Sequence, residues 1–218
     1  MEDIILESAR LIATDDESIK IVERLKSEGV YGQEDSQYLF MDIVIVSSAK
    51  GFENIPNMLS KNTPATRTVI IKTNQSLVVD DNANYYSVLS FFNGADVYKE
   101  IKTLLLLIRI NVKIYGSSGL DINDFFTLTK GRKMISTASY AYKDNIDEAI
   151  NKLKKIKLQN NGEYLLLFTV QQNHSEKTTV EMLSIKNFID TFPEKATLYW
   201  NLFESSVKQV ILFTSISI

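Results

Sequence analysis

Two aspartates three residues apart, Asp121 and Asp124, are the pair in this sequence best suited to chemistry. Ionised carboxylates accept hydrogen bonds from water and attract cations, so such a pair can position a water molecule or influence a metal. The same pair also suits the start of a helix. There Asp121 caps the N–H groups of Asn123 and Asp124, and both acids favour the positive end of the helix dipole. Asp96, at the start of a long apolar stretch, has the same double reading. A third candidate is anion binding in Ser47-Ser-Ala-Lys-Gly-Phe-Glu-Asn-Ile-Pro56. Loops that cradle phosphate rely on successive glycines, whose N–H groups approach the oxygens because no Cβ intervenes. Here Gly51 is the sole glycine, Phe52 adds bulk, Glu53 adds negative charge and Pro56 lacks a donor. Lys50 alone says little, and a Walker-type loop is absent. The expectation is a chain that does not bind and hydrolyse a nucleotide on its own: not an enzyme, with no cofactor and no metal.

The other reactive residue types narrow the field further. There are no cysteines, which excludes disulfides, thiol nucleophiles and thiolate metal sites. The single histidine, His174, lies in the polar run Gln171–Lys177, most simply a surface loop. Trp200 stands with Tyr199 and Phe203 around polar Asn201, the alternation of a half-buried strand, with a partner-binding patch as the alternative. Lys152-Leu-Lys-Lys-Ile-Lys157 reads as the solvated end of a helix whose cations suit the C-terminal dipole; membrane or nucleic-acid contact ranks second.

These residues need a scaffold. The chain has 218 residues, 44% of them hydrophobic and 23% charged, enough for one large domain or two small ones with a proper core. The net charge of −3 gives no global basic field for nucleic acid or anionic lipid. Met1-Glu-Asp-Ile-Ile5 lacks the features of a signal peptide. The longest apolar run, Leu104–Ile108, is far below the roughly 20 residues of a membrane span. A cytoplasmic protein is expected.

Periodicity predicts helices over 2–11 and 16–28, the second capped by Asp15 or Asp16 and stopped by Gly29. The β-branched runs Phe40–Val46 and Thr68–Ile71 read as buried strands, with a further strand at Ser76–Val79. Residues 49–66 read as loop with at most a short helix, and 85–93 as a short helix. From Ala95 to about Ile114 a single helix is predicted, apolar on every face in its middle and therefore buried. Then come a short helix at 121–129, a strand at Met134–Tyr142, a helix at Asn145–Ile156, a strand at Glu163–Val170 and a helix at Thr179–Thr191. The strands Ala196–Phe203 and Val207–Ile216 close the chain as a hairpin. This last module, β-α-β-α-β-β, describes a mixed sheet with helices on one side.

The order of elements resembles the FtsZ/tubulin family. Ile43-Val-Ile-Val-Ser-Ser-Ala-Lys-Gly51 sits where that family has a buried strand running into its glycine-rich phosphate loop. Ser76-Leu-Val-Val-Asp-Asp81 is similar to a strand ending in its Pro-Asn-Asp turn. Phe91–Tyr98 resembles the start of its central helix, Gly119-Leu-Asp-Ile-Asn-Asp124 its Asn-Leu-Asp-Phe-Ala-Asp loop, and Met134–Asn145 the opening of its second domain. The resemblance implies a reduced FtsZ/tubulin-like α/β fold: a small parallel-sheet remnant over 1–94, a central helix over 95–115 and a mixed-sheet α/β domain over 116–218. It also implies that the first strands and helices of the family are missing. Asp121 and Asp124 match the two acids of the loop that enters the next subunit's nucleotide site, where they position the attacking water and affect the metal; Gly119 replaces the asparagine. Asp96 falls where the central helix presents an acid to guanine.

With the phosphate loop degenerate, the resemblance implies a non-catalytic protein that works by assembly. It would dock on itself or on an FtsZ/tubulin-like homologue, capping or regulating a filament in cell division or a related cytoskeletal process, with no nucleic acid and no membrane span. The alternatives are a degenerate GTPase holding GTP or GDP at a subunit interface, and an unrelated α/β adaptor or ligand-binding module.

Overall fold

The computed structural model describes residues 9–30, 41–60, 67–79, 85–113, 122–170, 175–204 and 207–218. In chain order the elements are β1 (Ala9–Ala13), α1 (Asp16–Ser27), β2 (Met41–Val46), α2 (Ala49–Glu53), α3 (Ile55–Ser60), β3 (Arg67–Lys72), β4 (Ser87–Phe91) and α4 (Val97–Lys113). They continue with α5 (Ile122–Thr129), β5 (Gly131–Ala141), α6 (Asp147–Leu153), β6 (Glu163–Val170), α7 (Ser175–Ile189), β7 (Thr197–Glu204) and β8 (Gln209–Ser217). Strand neighbours run β1-β2-β3-β4-β5-β8-β6-β7. The chain divides into two compact units, and β5 gives its first five residues, to Ile135, to the first.

In the first unit β1 to β4 pair in parallel in sequence order, and β4 pairs in parallel with the start of β5. Parallel strands are buried on both faces and read as unbroken apolar runs, which is why Met41–Val46 is wholly buried. The register puts Ile12, Val44, Ile70 and Val88 on one face. Ile55 of α3, Leu77 and Val79 cover that face, with Phe52, Met58 and Leu59 packed against them. The alternate residues Ile43, Ile45, Ile71 and Leu89 are buried as well. In α4 Ile101, Leu104, Leu105, Leu107 and Ile108 are all buried, Leu106 is partly buried, and Lys99 and Lys102 face solvent. Arg24 of α1 stacks 3.7 Å from the Tyr98 ring of α4, and Lys102 meets Glu28 at 2.7 Å. A charged pair lies inside: Arg10 of β1 donates from two nitrogens to Asp42 of β2, at 2.8 and 3.0 Å. The two residues stand opposite each other in the register.

In the second unit β6 lies between two partners, β7 in parallel and β8 antiparallel. Tyr164, Leu166 and Phe168 project from one face into a core with Ile150 and Leu153 of α6 and Ile185 and Phe188 of α7. Both helices thus lie on one side of the sheet, as expected. The other face is closed by α5, whose Phe125 ring sits 5.9 Å from Phe213 of β8, and Ser215 Oγ donates to the Leu128 carbonyl.

Five expectations fail locally. Residues 9–11 are strand, because Ala9–Ala13 pairs along its whole length with β2 and its helix formers are overridden by that pairing. The parallel sheet therefore has an additional strand, β1, followed by α1. Residues 87–91 form β4 rather than a helix, held between β3 and β5. Ser76–Val79 forms no ladder; Leu77 and Val79 are buried as an extended cover over the sheet. Residues 49–60 hold two short helices. The last two strands are not a hairpin, since β6 inserts between them.

Candidate functional site

The parallel strands of the first unit all end at one edge, which is where open α/β sheets present their ligand sites. Two of these ends come together. The register Ala13↔Ile45 brings the residues after β1 level with those after β2, so Asp15 reaches Ser47 and Ser48. The Asp15 carboxylate accepts the Ser47 N–H at 2.9 Å, the Ser48 N–H at 3.0 Å, the Ser48 hydroxyl at 3.0 Å and the Ser47 hydroxyl. It also accepts the Ser18 N–H at 3.1 Å and so caps α1, while Ser18 Oγ accepts the Asp15 N–H in return. Burial works against ionisation here, but the hydrogen bonds from Ser47 and Ser18 outweigh it and hold this carboxyl well below the usual range.

The loop's single glycine has its explanation in the same place. Ser48 caps α2 by accepting the Gly51 N–H at 3.0 Å. A Cβ on Gly51 would collide with the Asp15 carboxylate and with Thr14 Oγ1. The glycine therefore admits the protein's own carboxylate. Phe52, expected to obstruct the loop, packs instead into the core beside Tyr85, ring centroids 5.9 Å apart. Above the loop lies a cavity of about 610 Å³ bordered by Thr14, Asp15, Asp16, Lys50, Glu53 and Asn54. Three acids face one lysine there.

The sequence-predicted residues are not gathered at this cavity. Asp96 is exposed before α4, and its carboxylate accepts the Lys99 N–H at 3.1 Å, a helix cap. Asp124 stands in the first turn of α5. Asp121 and His174 lie outside the described residues. Trp200 is 42% exposed, whereas Asn201 is buried and its Oδ1 takes the Leu202 N–H at 2.7 Å. The strand thus buries its asparagine, whose amide oxygen is satisfied by a backbone donor, and exposes its tryptophan, the reverse of the expectation. Among the described residues no group of three or more histidines, aspartates or glutamates could hold a metal, and no helix is long and apolar enough to cross a membrane. Asp15 was visible in the sequence only as a cap; its second role depends on β1 lying beside β2.

No protein-family model matches the chain, and no curated protein matches it. Solved structures do. A helical model of the TubZ-Bt four-stranded filament matches 92% of this chain at 11% identity, with a TM-score of 0.51. The structure of a type III plasmid segregation TubZ matches 92% at 10% identity and a TM-score of 0.50. The fold is FtsZ/tubulin-like. CetZ from Methanosaeta thermophila matches 93% of the chain at 15% identity, with a TM-score of 0.49. The chain spans about two thirds of the length of these structures: 66% of the filament model, 70% of the second TubZ and 66% of CetZ.

Proposed function

We propose that this FtsZ/tubulin-like chain is non-catalytic and acts by assembly, binding a second copy or an intact homologue and capping or regulating its filament. The observation that carries the reading is the Asp15 carboxylate seated on the Ser47 and Ser48 donors. These lie in the stretch that resembles the family's phosphate loop. A phosphate there would need the same N–H groups and would meet a carboxylate already bonded to them. Asp16 and Glu53 beside it add like charge, against Lys50 alone. Two unit charges of the same sign about 4 Å apart repel by several kcal/mol at a protein surface. The residues present do not fit a nucleotide phosphate.

Assembly is supported by what one similar fold is: a four-stranded filament. Asp124 at the start of α5 belongs to the stretch that resembles the loop contacting the next subunit's nucleotide. A chain that offers this side and closes its own phosphate side adds to one end of a filament and stops growth there. The test is sedimentation of the purified protein, alone and with a full-length FtsZ/tubulin-like homologue at substoichiometric ratios. Shorter or fewer polymers carrying bound protein are expected; no pelleting together with no effect on the homologue's polymer would sink the proposal.

A further inference from the structure

The assembly reading leaves one strongly charged feature unused. Lys152, Lys154, Lys155 and Lys157 are all exposed at the end of α6 and in the turn beyond it, while Leu153 between them is buried. The helix ends at Leu153, and dipole compensation acts only within the last turn. It therefore accounts for Lys152 and for Lys154 at the C-cap, and not for Lys155 and Lys157. Glu148 stands one turn before Lys152, yet no ion pair within 4.0 Å involves any of the four lysines among the described residues. Lys152 lies over the Tyr140 ring, 5.7 Å from its centroid. Four like charges within six residues repel one another, so an external anion relieves a cost the fold itself does not.

The form of the patch selects among anions. Asn151, Gln159, Asn160 and Asn161 around it are exposed too, so the lysines stand in a polar, solvent-facing stretch. The apolar face of α6, Ala149, Ile150 and Leu153, is spent on the core, which leaves nothing to insert into a groove or between acyl chains. The flanking Ile156 and Leu158 pack against the same core. No aromatic side chain stands in the run for a base to stack on, as single-stranded nucleic acid would require. Lysines are hydrated point charges suited to diffuse attraction, where arginines would give bidentate phosphate contacts. We infer that this lysine knuckle docks the second unit peripherally on an anionic lipid surface, by charge and without insertion. The overall charge of −3 restricts attraction to this local patch and makes it sensitive to salt.

The experiment is co-sedimentation of the full chain with phosphatidylcholine vesicles, with and without about a third phosphatidylserine. Each lysine near such a surface multiplies the partition coefficient about five-fold, so four give several hundred-fold over neutral vesicles. The double variant K154Q/K155Q should lose about 25-fold. Salt near 1 M, where the Debye length is about 3 Å, should abolish binding by the native chain. Far-UV circular dichroism checks that the variant is folded, and the conservative K154R/K155R should retain binding. Equal partition on both vesicle types, no binding to either, or binding unaffected by K154Q/K155Q overturns the inference. So does retention on duplex DNA without retention on vesicles, which assigns the knuckle to nucleic acid. The assay contains no homologue, so its outcome is independent of the assembly test.

Discussion

Replacing Asp15 with Asn keeps the shape of the side chain and removes its charge. Asn caps a helix about as well as Asp, so the bond from the Ser18 N–H survives. The losses fall on the donors from Ser47 and Ser48, which then face a neutral side chain that cannot accept from all of them. Hydrogen bonds to a charged acceptor contribute about 1.5–3 kcal/mol each in favourable cases, but these share one carboxylate and are not additive. About 2–3 kcal/mol in total is the expected cost at pH 7. The dependence on pH has a definite sign. The folded-state pKa of Asp15 is depressed, so its contribution is complete above the unfolded value of about 3.9 and disappears as pH falls through the folded value. The gap between wild type and D15N should be constant from neutral pH to about 5 and shrink below about 4. Urea unfolding followed by far-UV circular dichroism at pH 7 and pH 3 measures it. Trp200, the only tryptophan, lies in the second unit, so its fluorescence gives a separate reading of that unit. A D15N midpoint equal to wild type at pH 7, or a gap that persists unchanged in acid, would refute the reasoning.

The same geometry sets further expectations. Gly51→Ala drives a Cβ into the Asp15 carboxylate and should cost about 1–3 kcal/mol; in the double variant D15A/G51A the costs should fall short of their sum, as a double-mutant cycle in urea will show. Arg10→Ala leaves Asp42 charged and unpaired inside the sheet, and a loss of about 3–5 kcal/mol is expected by the same assay. Asp96→Ala should cost about 1 kcal/mol and Asp96→Asn much less, in thermal melts, because a cap and not a charge is what the position uses. Phe188→Ala empties the core between α7 and β6 and should cost about 3–5 kcal/mol, reported by Trp200 fluorescence.

What could be read in the sequence follows from where each element gets its stability. Met41–Val46 and Glu163–Val170 are central strands buried on both faces, and their apolar runs declare them. The long helix at Val97–Lys113 is legible for a related reason, the unbroken apolar run Leu104–Ile108 in its middle. Ala9–Ala13 is not, since alanine, arginine and leucine favour helix locally and only the pairing with β2, with Arg10 placed on Asp42, makes it a strand. In β4 the buried positions include Ser87 and Ser90, which weaken the apolar signal. The partner of β8 was illegible because adjacency in sequence favours a hairpin, while α7 carries the chain so that β7 lies parallel to β6 and β8 takes the opposite edge. The candidate site inherits the first of these misses. The poverty of glycine in 47–56 was plain, but Asp15 enters that loop only because β1 exists.

The central claim is that the donors of this loop are already taken by the protein's own carboxylate. Isothermal titration of the purified chain with GTP and with GDP, each with magnesium, tests it most directly. The account predicts no saturable heat up to about millimolar nucleotide, a limit of roughly −4 kcal/mol in binding free energy. Saturable binding at micromolar concentration, weakened by substitutions at Ser47 or Ser48, would contradict it.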